Sequence, residues 1–176
     1  QKKRYIALNK PPGYTCSAKD EHADHLVTEL FPKNAPRLFT VGRLDRDSDG
    51  LLICTNDGTF AQTVAHPRHQ VPKTYRVLVR GTVTRKALNA LVAGITESGE
   101  TLQAEQARKL RKTPQGTHIE IVVTEGKKRE IRRMCAHFNW RVLRLTRIQI
   151  GPVKLNRLPQ GKWRELTPGE RQALQN

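Results

Sequence analysis

Tyr75, Val77 and Val79 alternate with Arg76, Leu78 and Arg80, and Ile119, Ile121 and Val123 repeat the same period of two. Such alternation buries one face of a strand and wets the other. Further strands are expected at Tyr5–Asn9, Leu38–Val41, Leu51–Thr55 and Val142–Ile150. In the last, the apolar phase changes from Leu143 and Leu145 to Ile148 and Ile150, which predicts a bulge near Thr146 and Arg147. Helices are expected over Asp24–Phe31, after the turn Asn56-Asp57-Gly58, between a Thr84 cap and Gly94, and near Arg129–Phe138. Strands and helices do not alternate as βαβ units. The fold class is therefore α+β with a mixed or antiparallel sheet. At 176 residues the chain forms one domain or two tightly joined subdomains.

Charge narrows the function. Thirty-two Lys and Arg stand against 16 Asp and Glu, a formal net charge of +16. A compact domain gains no stability from self-repulsion, so the excess points to a polyanionic partner, and its spread through the folded segments points to nucleic acid. No long apolar run, lipidation signal or basic amphipathic arm favours a membrane. Cys16, Cys54 and Cys135 are odd in number and widely spaced, as free thiols are, so a reducing compartment is expected, the cytoplasm. The chain begins with Gln1 rather than Met, consistent with removal of preceding residues.

Two segments concentrate charge. In Gly42-Arg43-Leu44-Asp45-Arg46-Asp47-Ser48-Asp49-Gly50, five charged side chains fall within seven residues between apolar runs. Buried charges need partners, so this loop belongs at a surface or in a cleft. Its second half matches the start of a calcium loop, but Asn56 stands where the bidentate Glu is required and arginines occupy the cation's surroundings. No metal site is expected there, nor at His22/His25 or His66/His69, which lack partner ligands. The second segment is the helix near Arg129–Phe138. Ile131, Met134, Cys135 and Phe138 share one face, and Arg129, Arg132 and Arg133 project from the other behind Lys127 and Lys128. That face reads as a phosphate-tracking groove continued by Arg141, Arg144 and Arg147.

In order along the chain, Asn9-Lys10-Pro11-Pro12-Gly13-Tyr14, Gly42-Arg43-Leu44-Asp45, Lys73-Thr74-Tyr75, Glu125-Gly126-Lys127-Lys128-Arg129-Glu130-Ile131-Arg132-Arg133-Met134 and Gly161-x-Trp163-Arg164 resemble the motifs of the RsuA-type bacterial ribosomal-RNA pseudouridine synthases. The resemblance implies an α+β catalytic fold over residues 1–176: a large mixed, mostly antiparallel sheet with flanking helices and a central cleft. It implies that Asp45 is the nucleophilic or basic catalyst, that Tyr75 packs on the target base, that Arg132 pairs with the aspartate and that Arg43 helps displace the base. Lys73, Lys127, Lys128, Arg129, Arg133 and Arg147 complete the expected RNA contacts. The partner implied is ribosomal RNA, bare or in a pre-ribosomal particle, met by a monomer. The resemblance implies an RNA-binding module ahead of this domain in many relatives, and the expectation here is a module either naturally absent or removed. Isomerisation conserves every atom and electron, so no cofactor or metal is expected. An aspartate placed among cations weakens RNA binding, which favours an enzyme over a non-catalytic ribosome-binding protein.

Overall fold

The expected strand at the N-terminus is β1, Tyr5–Lys10, in which every residue after Tyr5 is buried. The computed structural model describes residues 1–17 and 20–176. After β1 come β2 (Tyr14–Thr15), β3 (His25–Leu26), β4 (Phe39–Val41), β5 (Asp49–Thr55) and helix α1 (Gly58–Ala65). Next are β6 (Lys73–Arg80), α2 (Arg85–Ala93), β7 (Ile95–Glu97), β8 (Glu100–Leu102), β9 (Gln106–Thr113), β10 (Gly116–Val123) and α3 (Glu130–His137). β11 (Arg141–Ile150), β12 (Val153–Lys154), β13 (Trp163–Glu165) and α4 (Pro168–Gln175) close the chain. Among the described residues, nine strands belong to one large sheet. The fold is α+β, and its registered ladders β1–β13, β1–β5, β4–β5, β6–β10, β9–β10 and β11–β12 are all antiparallel.

The chain divides into two compact units, residues 1–71 with 147–176 and residues 72–146. In the first, β1 lies between β13 and β5. Ala7, Leu51, Ile53, Phe60, Val64 and Leu174 meet in its core, so α1 and α4 bury their apolar faces against the strands. Asp57 caps α1 by accepting from Phe60 N at 3.1 Å, the turn residue acting as expected. The Asp24–Phe31 helix is not formed as an α-helix. His25–Leu26 pairs with β2, the Glu29 carboxylate accepts from Leu26 N at 2.5 Å, and only the single 3-10 turn Val27–Leu30 fits before Pro32.

In the second unit, Val77, Val79, Ile119, Ile121 and Val123 turn one sheet face toward α2 and α3, which contribute Leu88, Leu91, Ile131, Met134 and Cys135. The Thr84 cap and Gly94 stop of α2 stand as read from the sequence. β9 was not expected: its sequence, Gln-Ala-Arg-Lys-Leu-Arg-Lys-Thr, has no period-two apolar signal. A register shift against β10 at His118/Ile119 breaks the alternation that remains. In β11 the buried positions run Leu145, Arg147, then Ile150, so the change of phase follows Arg147.

Candidate active site

The loop between β4 and β5 is pinned on both sides of Asp45. Leu44 is buried, its N–H pointing to Cys16 Sγ at 3.4 Å, while the thiol donates to Leu44 O at 3.3 Å. Arg46 O accepts from Gly13 N at 2.7 Å. Asp45 O accepts from Ser48 N at 3.0 Å, which closes the turn into β5. Asp45 itself is half-buried, and Arg43 and Arg46 are exposed beside it. The loop thus fixes its backbone through neighbours on both sides of the half-buried Asp45.

Lys10 is the residue that sequence reasoning passed over. It ends β1 fully buried, at 0% exposure. Its ammonium donates to Pro11 O at 2.9 Å, Tyr14 O at 2.8 Å and Arg46 O at 3.2 Å. Burial pulls its pKa down, and the nearby Cys16, Asp49, Asp47 and Asp45 push it back up. One amine therefore ties the Pro-Pro-Gly turn to the charged loop and sets a positive charge behind its carboxylates. The signal was available: a lysine inside an apolar strand needs partners, and a following Pro-Pro-Gly turn supplies carbonyls.

Arg147 is not on the surface. At 3% exposure it donates through Nε to Leu51 O at 2.8 Å and through Nη1 to Arg43 O at 3.4 Å. It braces β5 and the loop from within, so a phosphate contact by this side chain does not fit its burial. Gly50 makes that bracing possible: a Cβ there would stand 2.2 Å from Arg147 O.

The remaining expected residues lie in the second unit. Lys73 and Tyr75 are on β6, and Tyr75 is half-buried against the apolar cluster. Arg129 caps α3 in the left-handed region at φ 51°, and with Lys128 it is exposed. Arg132 is half-buried. Lys127 bonds Thr101 O and stands 3.4 Å from Glu125 Oε2. Arg133 is held at 2.8 Å by Glu97 Oε2 and at 2.8 Å by Glu100 Oε1, so two carboxylates already balance its charge. Glu130, 5% exposed at the start of α3, was not singled out from the sequence. Burial, with the Glu125 carboxyl beside it, pushes its pKa up to about 8. The three thiols are free and buried, and burial pushes Cys54 and Cys135 well above the ordinary thiol range. His66 Nδ1 accepts from Arg68 N at 3.1 Å, and His69 Nε2 meets Leu174 O at 2.5 Å.

The RNA pseudouridylate synthase family model matches residues 4–137. An RNA pseudouridine synthase of Aquifex aeolicus is 42% identical over 171 residues, 97% of this chain and 69% of its own length. Ribosomal large subunit pseudouridine synthase B of Bacillus subtilis is 37% identical, covering 94% of this chain and 69% of itself. A crystal structure of a pseudouridylate synthase superposes with a TM-score of 0.85 at 30% identity, over 98% of this chain and 74% of that one. The chain belongs to the RNA pseudouridine synthase family.

Proposed function

We propose that this protein isomerises a specific uridine of ribosomal RNA to pseudouridine, with Asp45 as its nucleophile or base. The single observation that carries the assignment of Asp45 is the loop that holds it: residues 44 and 46 are fixed by Cys16, Gly13 and Lys10, while Asp45 between them is only half-buried. Rigid backbone under an accessible reactive group is what precise attack requires. The ribosomal substrate is supported by the Bacillus subtilis relative, named for the large ribosomal subunit, and by the net charge of +16.

The reaction breaks the bond from C1′ to N1 of uracil, turns the ring and joins C1′ to C5. N1 gains a proton and C5 loses one, so the process is redox-neutral. A stacked base is unreachable and must leave the helix at a cost of about a few kcal/mol. Arg43, exposed beside Asp45, is suited to occupy the vacated space, and the Tyr75 ring to stack on the extruded base, worth roughly 1–3 kcal/mol. Arg132 is assigned the role of the aspartate's counter-ion, which a guanidinium fills because it keeps its charge at any working pH. Lys73, Lys127, Lys128 and Arg129 contribute to holding phosphates. The geometry gives Arg133 first to Glu97 and Glu100 and Arg147 first to the β5 backbone.

Loss of the C5 proton supplies the assay. Ribosomal RNA transcribed with 5-tritiated uridine should release tritium with the wild type. Asp45→Asn should release less than roughly a hundredth as much, consistent with loss of an essential nucleophile or base, while binding RNA as tightly or more tightly, because an anion has left a cationic surface. Arg132→Ala should lower turnover far more than binding. Residual turnover of Asp45→Asn close to the wild type would overturn the assignment.

A further inference from the structure

We propose that the side of β6, β10 and β9 facing away from α2 and α3 is a second RNA-backbone contact, formed by Arg76, Arg80, Arg108 and Arg111. The inference rests on the RNA-modifying reading and extends where that RNA touches the protein.

Register puts these residues on one face. Arg76 pairs with Glu120, and Glu120 with Arg108. Leu78 pairs with His118, and His118 with Arg111. Directly paired residues point to the same side of a sheet, and Arg80 follows Arg76 and Leu78 at the period of two. The opposite side carries Val77, Val79, Ile119, Ile121 and Val123, and there α3 packs. The arginine face is therefore distinct from the surface of α3.

All four arginines are exposed. The one carboxylate in the two rows, Glu120, accepts from Arg108 Nε at 2.6 Å. Among the described residues no carboxylate lies within ion-pair distance of Arg76, Arg80 or Arg111. His118 reports the resulting field: its pKa is lowered by partial burial first, then by Arg111 and Arg76.

Ordinary edge protection accounts for only half of the pattern. Charges on an edge strand prevent sheet-to-sheet pairing, and β9 is the last strand of its sheet. β6, however, lies between β11 and β10. Arg76 and Arg80 protect no edge. Strands repeat about every 4.8 Å across a sheet and about 6.8 Å per two residues along it. On that grid Arg108 and Arg111 stand one row apart, Arg76 and Arg108 two strands apart and Arg76 and Arg80 two rows apart, so the guanidinium forks lie about 7–14 Å from one another, a spread that lets each take a separate phosphate of one RNA in two-pronged fashion. Because the face turns away from α3, a short stem-loop cannot engage both surfaces at once, whereas a folded ribosomal RNA domain can.

The test compares wild type, Arg76→Gln/Arg111→Gln and a control, Arg85→Gln/Lys86→Gln, which removes equal charge from exposed positions on α2. Affinity is measured against salt for a folded ribosomal RNA domain transcript and for a short stem-loop cut from it. Removing two phosphate contacts should lower the slope of log Kd against log salt by roughly 1.4–1.8 on the domain transcript, at about 0.7–0.9 per contact. The slope on the stem-loop should not move, and the control should leave both unchanged. Equal slopes for the double variant and wild type on the domain transcript, or an equal fall in the control, would overturn the proposal. Tritium release by the wild type is followed in parallel. It decides the catalytic reading separately, because the binding slopes are obtained whether or not turnover occurs.

Discussion

Gly50→Ala is the substitution whose consequence follows most directly from the coordinates. Gly50 is the second residue of β5 and sits at φ +112°, a conformation side chains rarely adopt. A Cβ added there would meet Arg147 O at 2.2 Å and Arg147 N at 2.7 Å. Relief requires the two backbones to part by about 1 Å, enough to take ladder hydrogen bonds of ~2.9 Å beyond bonding range. Two lost bonds cost about 1–3 kcal/mol together. Backbone strain adds about 1–3 kcal/mol. The sum, near 4 kcal/mol, lowers Tm by roughly 8–16 °C at the ~2–4 °C per kcal/mol of a chain this size. The Arg147 Nε bond to Leu51 O sits at the same point, so the support under the Asp45 loop should loosen too. Circular dichroism melting tests this beside Gly58→Ala, at the first residue of α1, where a Cβ meets nothing within 4 Å. That control should hold or raise Tm, since alanine restricts the unfolded chain more than glycine does. A Gly50→Ala variant melting within about 2 °C of wild type, on a scale of ~2–4 °C per kcal/mol, would refute the close approach of β5 to Arg147.

Other outcomes follow from the buried charges. Lys10→Met should leave three carbonyls without their donor, at about 1–3 kcal/mol for each that water cannot reach; melting measures the loss, and kcat should fall more than KM changes, since the loop rather than the RNA contact is disturbed. Glu130, raised to about 8 by burial and by Glu125, with Lys127 opposing and Glu100 adding, contributes stability that is complete below the ordinary Glu pKa and is lost as pH rises through about 8. Glu130→Gln removes that titration, so urea midpoints at pH 5 and pH 9 should show wild type losing ground to the variant on the alkaline side; parallel behaviour at both values refutes the buried neutral acid. Arg133→Ala should lower Tm by breaking its pairs with Glu97 and Glu100 while moving the salt slope of RNA binding little, as melting and salt titration will show.

The sequence showed what periodicity and turn chemistry can carry. β6, β10, α2 and α3 were legible because one face of each is apolar at its proper period and because Thr84 and Gly94 cap and stop by local geometry. β9 was not legible, since an edge strand with a register shift and four cations has no apolar alternation to read. α4 was missed although Thr167 and Glu170 form a capping box, because Leu174 is its single buried residue. The Asp24–Phe31 helix failed where a two-residue strand pairing took His25 and Leu26 out of it.

The site divides along the same line. Asp45 could be singled out as a candidate because its loop concentrates unlike charges between strands, and that arrangement is written locally. Burial of cations is a tertiary matter. Arg147 read as an RNA contact and Lys10 was passed over in a chain with 32 Lys and Arg, yet both lie inside the first unit with their donors on backbone carbonyls. Arg133 differs again, drawn to Glu97 and Glu100 on a hairpin that the sequence did not reveal. Three of the cations that look alike in composition therefore do construction, and a basic chain's charge count overstates the number left to meet RNA. RNA affinity should depend instead on cations such as Lys73, Lys127, Lys128 and Arg129 and on the four exposed arginines of the β6–β10–β9 face.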